Sequence, residues 1–292
     1  MSIETVGVVG CGLMGSGIAE VVARSGLRVV VLDQTEDLLQ AGEARIRSSL
    51  DRGVERGKTT ELERDTALAS LAFTTETHAL DGADLVIEAV VENLEVKRGL
   101  FTALDAICPE HTILASNTSS LPIADLAAAT SRPDRFVGLH FFNPVPAMKL
   151  VEVIRSVTTS EETFERVVDV CERIGKVTVA AKDNPGFVVN LLLVPYLLDA
   201  IRQLERGVAS VRDIDTAMTL GCGHPMGPLA LSDFVGLDTL CRVGDIMYGE
   251  YREARYAPPP LLRRLVALGR FGRKSGMGFY DWSGAEPVPT LT

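Results

Sequence analysis

The sequence is short of positive charge, of histidine and of aromatic residues. It has 29 Lys/Arg against 39 Asp/Glu, a formal net charge of -10, only four histidines and 5% aromatic residues. Because nucleic-acid-binding proteins attach to phosphates through basic patches, this balance predicts no nucleic-acid partner. The apolar (46%) and charged (23%) fractions are ordinary, so we expect a folded globular chain and not a disordered one.

Cysteine pairs of the kind that bind zinc or build disulfide frameworks are also lacking. The five cysteines are scattered over 292 residues, and no two stand in a CxxC spacing. We therefore expect no metal site and no disulfide, as suits a reducing, cytoplasmic compartment. The first residues lack the basic region of a secretory leader, and the most apolar later run (191–198) is too short to cross a bilayer, so no membrane association is expected.

Short apolar runs separated by helical patterns fill the first two-thirds of the chain. The runs lie at residues 6–9, 29–32, 85–91, 112–116, 136–142 and 151–154. This alternation predicts an α/β fold, with a doubly wound, Rossmann-like sheet. Residues 36–70 are rich in Arg, Glu, Leu and Ala and predict a helical hairpin inserted in that domain.

Both charge and periodicity change near residue 186. Residues 1–186 contain 18 Lys/Arg and 28 Asp/Glu, whereas residues 187–292 contain 11 of each. From residue 187 onward the strand-like runs stop, and helical patterns broken by Gly and Pro follow. The sequence therefore predicts a dinucleotide-binding domain over residues 1–186 and an all-helical domain over residues 187–292.

A glycine-rich loop follows the first predicted strand. Gly10, Gly12 and Gly15 form a GxGxxG that opens the next helix, and Asp33 ends the second strand 18 residues beyond Gly15. Glycines let the backbone approach a pyrophosphate, and the helix N-terminus offers N–H groups and the positive end of its dipole. Asp33 can accept a hydrogen bond from a ribose 2′-hydroxyl and would repel a 2′-phosphate, so the predicted cofactor is NAD and not NADP.

Polar residues that follow apolar runs mark the edge of the sheet where ligands are expected. His140 ends one run, and Glu152 lies in the next between Val151 and Val153. If the two strands meet, the carboxylate can orient the imidazole and stabilise its protonated form, as a general base requires; a purely structural ion pair is the alternative. Ser119 follows another run, where it either caps the next helix or donates a hydrogen bond to a substrate oxygen.

Several segments, in order from near residue 5 to about residue 282, carry a family resemblance. They are VGVVGCGLMGSGIA, VIEAVVENLEVK, ASNTSSLPI, RPDRFVGLHFFNPVPAMKLVEV, DNPGFVVN, LLVPYLLDAI, DIDTAM, HPMGPLALSDFVGLDT and FGRKSGMGFY. The chain resembles the 3-hydroxyacyl-CoA dehydrogenase family, of the bacterial 3-hydroxybutyryl-CoA dehydrogenase type. This resemblance implies an NAD-dependent enzyme that reversibly oxidises (3S)-3-hydroxyacyl-CoA to 3-oxoacyl-CoA, and a homodimer formed through the helical domain.

The resemblance also implies roles for individual residues. His140 matches the catalytic histidine, Glu152 its carboxylate partner, and Ser119 and Asn190 the residues that contact the reacting oxygen. The implied cofactor contacts are the glycine loop and four polar positions: Gly10, Gly12, Leu13, Met14, Gly15, Asp33, Glu92, Lys97 and Asn117. The implied CoA contacts lie in the helical hairpin, at Ser49, Arg52 and Arg56.

Three other functions remain open on the residues alone. The substrate could instead be a 3-hydroxyacyl group on a carrier protein or a free hydroxy acid such as a sugar acid, and a non-catalytic dinucleotide-binding protein is the third alternative. The presence of all four candidate catalytic residues argues against the last of these, and the hairpin arginines favour CoA over a free acid. Leu191 stands where many family members carry arginine, so we expect the packing near the domain junction to differ.

Overall fold

The computed structural model describes residues 2–291, and the chain divides into two compact units. The first unit ends at Asn184 and the second begins at Pro185, two residues before the boundary predicted from charge and periodicity. Each unit has an apolar core of its own. Among the described residues, no helix combines the length and the hydropathy that a membrane span requires.

An eight-stranded sheet with flanking helices forms the first unit. Its strands are β1 (Thr5–Val9), β2 (Arg28–Leu32), β3 (Leu71–Thr74), β4 (Leu85–Glu88), β5 (Ile113–Ser116), β6 (Phe136–Phe141), β7 (Leu150–Arg155) and β8 (Val177–Lys182). Its α-helices are α1 (Leu13–Arg24), α2 (Glu36–Glu55), α3 (Glu61–Ala69), α4 (Leu94–Ile107), α5 (Ile123–Ala127) and α6 (Glu161–Arg173). The strand order is β3-β2-β1-β4-β5-β6-β7-β8, which confirms the predicted Rossmann-like class.

The direction of the sheet reverses between β6 and β7. The neighbouring pairs from β3 to β6 are all parallel, whereas β7 runs antiparallel to β6 and β8 runs parallel to β7. Residues 142–149 alone connect β6 to β7, and a parallel pairing would need a crossover of about a dozen residues or more. The reversal therefore follows from the short connection, and it places β7 side chains directly opposite those of β6.

Two of the observed strands were not predicted from the sequence, and one predicted strand is longer than the observed one. Strand β3 follows the hairpin without a long apolar run, and in β8 only Ala181 is buried. The run at 85–91 leaves the sheet at Glu88, and Val91 is 67% exposed. Apolar content alone does not fix strand ends, because loop residues beside a ligand edge can also be apolar.

The predicted helical hairpin consists of α2 and α3. Thr35 caps α2 by accepting a hydrogen bond from the Leu38 N–H, and Thr60 and Glu63 form a capping box at the start of α3. Gly42 of α2 packs directly on the glycine-rich loop, since a Cβ atom there would lie 1.9 Å from Cys11 Sγ. The hairpin is thus fixed against the loop that follows β1.

The second unit is helical, as predicted, with one small addition. Its helices are α7 (Val189–Glu205), α8 (Val211–Cys222), α9 (Pro228–Val235), α10 (Leu237–Tyr251) and α11 (Pro260–Ala267). After α11 the chain is rich in glycine, which is unfavourable in helices, and two-residue strands β9 (Tyr280–Asp281) and β10 (Val288–Pro289) pair antiparallel.

Two buried aspartates connect the last segment of the second unit to its helices. Asp215 accepts hydrogen bonds from two backbone N–H groups in the first turn of α9, at 2.8 and 2.9 Å, and from the Tyr280 hydroxyl at 2.8 Å. Asp233 accepts from the backbone N–H groups of Phe279 and Tyr280, both at 2.9 Å. Burial raises the pKa of Asp233 above its usual range although these donors oppose the change.

Replacing Tyr280 with Phe should destabilise the second unit by about 1–3 kcal/mol, because buried Asp215 loses a hydrogen-bond donor. Urea unfolding followed by circular dichroism measures the change. The control is Tyr248→Phe, at a ring that is 38% exposed, which should change stability by less than about 0.5 kcal/mol. Equal effects of the two variants would contradict the assigned role of the Tyr280 hydroxyl.

Candidate functional site

The candidate site lies at the carboxyl edge of the parallel strands. The glycine-rich loop follows β1, Asp33 follows β2, Asn117 follows β5, and His140 is near the end of β6. Backbone hydrogen bonds keep these loops in register, for example from the Asn117 N–H to the carbonyl of Glu88 at 2.8 Å. Ligands of open α/β sheets bind at this edge.

The three glycines of the loop have different structural roles. Gly10 has a φ of 94°, a conformation that other residues seldom adopt. A Cβ atom on Gly15 would lie 1.7 Å from the Gly10 carbonyl oxygen, so helix α1 can only start here with glycine. A Cβ atom on Gly12 would meet nothing within 4 Å. Gly12 is therefore not needed for packing, and its open surroundings suit the close approach of a pyrophosphate.

Asp33 is oriented by the same loop. Its carboxylate accepts hydrogen bonds from the Cys11 N–H at 2.6 Å and from the Gln34 N–H at 2.7 Å. At the start of α1, Leu13 is 63% exposed, whereas Met14 packs against the core of the first unit. The loop, the helix N-terminus and a fixed acceptor at the end of β2 are the groups that the diphosphate and a ribose of NAD require.

A buried ion cluster joins β4 to α4. Lys97 Nζ lies 2.6 Å from Glu88 Oε1 and 3.2 Å from Glu92 Oε2, and Lys97 and Glu88 are almost completely buried. Glu88 also accepts hydrogen bonds from the Ser116 hydroxyl at 2.6 Å and the Val90 N–H at 2.7 Å, as a buried carboxylate requires. Nothing in the sequence spacing identifies Lys97 as the partner of Glu88, which only the fold reveals.

Glu92 in turn holds the loop that carries Ser119. Its Oε1 atom accepts hydrogen bonds from the hydroxyls of Thr118 and Ser120, at 2.6 and 3.1 Å, and from the Ser119 N–H at 3.1 Å. Burial acts to raise the pKa of Glu92, but the Lys97 charge and these donors outweigh it and hold the pKa below its usual range. The cofactor contacts implied for Glu92 and Lys97 remain predictions. The structure adds that Glu92 fixes Ser119 and that Lys97 holds Glu92.

The possibility that Ser119 caps the following helix is wrong. Helix α5 starts only at Ile123, and the backbone N–H groups of Ile123 and Ala124 each donate to the Asp183 carboxylate at 2.7 Å. A distant aspartate does the capping, which local sequence cannot reveal.

His140 and Glu152 face each other across β6 and β7. The two residues are register partners, and Nδ1 of His140 lies 2.6 Å from Oε2 of Glu152. His140 is 6% exposed and Glu152 is fully buried. The carboxylate therefore accepts a hydrogen bond from the Nδ1–H group, which puts the ring lone pair on Nε2. Asn117 lies beside them, because its Oδ1 atom accepts the Phe141 N–H at 2.9 Å.

The hairpin residues Ser49 and Arg52 line a cleft of about 370 Å³. We call it the hairpin cleft; its walls are α1, α2 and residues 143–146. Glu20 also lines it and is 3% exposed; burial raises the pKa of its carboxyl although a hydrogen bond from Ser49 and nearby cations oppose the change. Arg56 caps the C-terminus of α2 and is exposed outside this cleft.

Sequence reasoning missed Arg45 in the hairpin. Arg45 lines the hairpin cleft, and its guanidinium donates to the Cys11 carbonyl of the glycine-rich loop at 2.6 Å. The small residues around it, Ala41, Gly42 and Ala44, are the only sequence sign that α2 approaches another backbone closely.

Asn190 and Leu191 belong to the second unit. Both lie in the first turn of α7, and Leu191 packs partly buried against the core of that unit. An apolar residue thus occupies the position where the family resemblance suggests arginine. The contact of Asn190 with a substrate oxygen stays a prediction.

Gly12→Ala and Gly15→Ala should separate cofactor binding from folding. Gly12→Ala should leave the melting temperature nearly unchanged but raise the KM for NAD, because its methyl group occupies the space open to the pyrophosphate. Gly15→Ala should cost about 2 kcal/mol or more, since its Cβ overlaps the Gly10 carbonyl. Thermal melts and NAD kinetics measure both; a Gly12→Ala protein with unchanged NAD kinetics would contradict this assignment.

Comparison with known proteins covers both units. The family model described as 3-hydroxyacyl-CoA dehydrogenase, NAD binding domain, matches residues 5–184. The model described as 3-hydroxyacyl-CoA dehydrogenase, C-terminal domain, matches residues 186–282. The first match identifies the glycine-rich loop as part of an NAD-binding domain.

Individual relatives match over nearly their whole length. The 3-hydroxybutyryl-CoA dehydrogenase of Mycobacterium tuberculosis is 53% identical over 283 residues, 96% of this chain and 99% of that protein. The human mitochondrial hydroxyacyl-coenzyme A dehydrogenase is 50% identical, over 96% of this chain and 91% of its own. The crystal structure of (S)-3-hydroxybutyryl-CoA dehydrogenase from Ralstonia eutropha superposes with a TM-score of 0.94 at 47% identity, over 97% of this chain and 100% of that one. The chain belongs to the 3-hydroxyacyl-CoA dehydrogenase family.

Proposed function

We propose that the protein reversibly oxidises the (3S)-hydroxyl of a short-chain 3-hydroxyacyl-CoA, such as 3-hydroxybutyryl-CoA, to the 3-oxoacyl-CoA with NAD. The observation that carries this proposal is the buried His140–Glu152 pair at the ligand edge of an NAD-binding sheet. Close relatives that are named 3-hydroxybutyryl-CoA dehydrogenases support the substrate class.

In the proposed mechanism His140 is the general base. Bound NAD supplies the acceptor for the hydride that leaves C3. Nε2 of His140 takes the hydroxyl proton, because Nδ1 keeps its own proton and donates a hydrogen bond to the Glu152 carboxylate. The Glu152 charge then stabilises the imidazolium, and Ser119 and Asn190 donate hydrogen bonds to the substrate oxygen. In the reverse direction the imidazolium returns the proton to the same oxygen.

The hairpin cleft is the proposed site for part of the CoA. Ser49 supplies a hydroxyl and Arg52 a cation, although Arg52 Nη1 also donates to Ser48 at 2.6 Å. A free hydroxy acid carries no group that would extend along this cleft. The cleft therefore favours a thioester with a long carrier over a free acid.

The proposed activity is tested by NADH consumption with acetoacetyl-CoA, its longer homologues, acetoacetyl carrier protein and free acetoacetate in parallel. We expect turnover of acetoacetyl-CoA and at least 100-fold lower kcat/KM for free acetoacetate, on the order of the 3 kcal/mol that several lost contacts supply. Equal turnover of the free acid, or turnover of the carrier-protein thioester alone, would overturn the proposed substrate class.

His140→Gln should lower kcat about 10²–10⁴-fold and leave NADH binding unchanged, because it removes the general base but not the glycine-rich loop. Stopped-flow turnover and NADH fluorescence titration measure the two effects. His78→Gln, at an exposed histidine of the same unit, is the matched control and should retain full activity. Near-normal turnover of His140→Gln would exclude His140 as the base.

We further propose that the protein is a homodimer formed through its second unit. That unit exposes large apolar side chains, including Leu192 (71% exposed) and Leu220 (82%), and residues 187–292 carry no net charge to repel a second copy. Light scattering after gel filtration should give twice the mass of 31.4 kDa. Leu220→Lys should weaken the dimer, whereas Leu62→Lys, at an exposed leucine of the first unit, should not; a monomeric wild type would contradict the proposal.

A cytoplasmic location completes the proposal. All five cysteines are free thiols, and Cys222 is exposed. An exposed thiol persists best in a reducing compartment.

A further inference from the structure

A second cleft, of about 400 Å³, lies beside the hairpin cleft and has a different electrostatic character. Four cations line it: Arg24, Lys149, Arg173 and Lys176. No acidic side chain is among the residues that line it. We call it the cationic cleft. It belongs to the part of the chain that carries the whole net charge of -10, so its charge runs against that of its own unit.

The four cations have few carboxylate partners to offset them. Among residues 2–291, neither Arg24 nor Lys149 forms an ion pair within 4 Å, and Arg173 has only Glu4, at 3.8 Å and half exposed. Glu20 interacts with Arg24 and Lys176 at longer range, and Glu63 with Arg24, but neither carboxylate lines the cationic cleft. The positive potential of the cleft is therefore poorly compensated from within.

Lys176 is a buried cation that helps to form the wall of the cationic cleft. Its side chain is 7% exposed, and its Nζ atom donates to the carbonyls of Val145 at 2.6 Å and Met148 at 2.7 Å. Burial, together with the Arg24 charge, lowers the pKa of Lys176. Lys176 thus fixes the 145–148 segment as a wall of the cleft, close to the Arg24 charge. Concentrating like charges in this way is unfavourable unless an anion binds there.

The size and position of the cleft indicate what that anion is. A volume of about 400 Å³ is within the range for small-molecule sites and exceeds what a single inorganic ion needs. Pro146 lines both clefts, so they are neighbours along the α1 surface. Arginine favours phosphate through paired N–H donors.

We propose that the cationic cleft binds the phosphate groups of an adenine nucleotide. The nucleotide has two possible sources. One source is the 3′-phospho-ADP portion of the acyl-CoA, which would reach past Pro146 from the hairpin cleft. The other is a separate adenine nucleotide that carries two phosphates. Only the first source rests on the proposed function, since it requires that CoA carries the substrate.

Isothermal titration calorimetry with adenosine 3′,5′-bisphosphate tests the site. NADH is kept saturating, so that the glycine-rich loop is occupied and does not compete for the probe. We expect one bound bisphosphate in the wild type, and about tenfold weaker binding in Arg24→Gln and in Lys149→Gln, as loss of one charge-assisted contact predicts. Arg98→Gln is the control, because Arg98 is an exposed arginine of α4 outside both clefts.

Kinetics then distinguish the two sources. If the substrate supplies the phosphates, Arg24→Gln raises the KM for acetoacetyl-CoA about tenfold but leaves the KM for acetoacetyl-N-acetylcysteamine, which has no phosphate, unchanged. If a separate nucleotide binds, the bisphosphate Kd changes while both KM values stay the same. No bisphosphate binding to the NADH-loaded wild type, or equal Kd values in wild type and both variants, would overturn the proposal.

The calorimetric result does not depend on catalysis. Failure of every thioester in the NADH assay would refute the proposed function, yet a bisphosphate Kd that rises in Arg24→Gln and Lys149→Gln would still support the cleft. Thermal melts of each variant confirm folding. Lys149 is useful here because its side chain is exposed and makes no hydrogen bond within the described chain.

Discussion

The antiparallel pairing of β6 with β7 is the constraint on which the candidate site depends. A short connection reverses the chain, and the resulting register sets Glu152 opposite His140. A fully buried carboxylate is costly without a partner, and a buried imidazole needs one to fix its tautomer. Each side chain therefore stabilises the other, and the fold makes their contact obligatory.

Polar networks around this pair hold the remaining loops in place. Lys97 joins Glu88 to Glu92, and Glu92 in turn fixes the Ser119 segment. Asn117 links the loop after β5 to β6 through the Phe141 N–H. Loops positioned by several buried hydrogen bonds are preorganised. Their polar groups therefore need no reorganisation when a ligand binds or reacts, whereas water molecules would. The same logic applies to Asp33, whose orientation depends on the glycine-rich loop it serves.

The sequence predicted those elements whose cause is local. The GxGxxG loop, the α2–α3 hairpin and the helical second unit follow from glycine spacing, capping residues and periodicity. Strand β8 was missed although Val177, Val179, Ala180 and Ala181 form a short apolar stretch. Thr178 interrupts this stretch, and only Ala181 is buried at the edge of the sheet. Glu88–Lys97 and Asp183 at the start of α5 were not predictable, since each joins residues that only the tertiary fold brings together. His140 and Glu152 form an intermediate case, in which spacing suggested the contact but only strand register could establish it.

The overall charge of -10 adds a further condition, because NAD and CoA are both anionic. Backbone N–H groups and locally concentrated cations must therefore attract these ligands against the field of the whole protein. Ligands held in this way react only if the catalytic pair is functional, and the central claim is that His140 and Glu152 act as one unit. A double-mutant cycle on kcat with His140→Gln, Glu152→Gln and the double variant tests this most directly, with folding checked by circular dichroism. The account predicts that Glu152→Gln alone is strongly impaired and that the double variant is no slower than His140→Gln, whereas losses that multiply would contradict it.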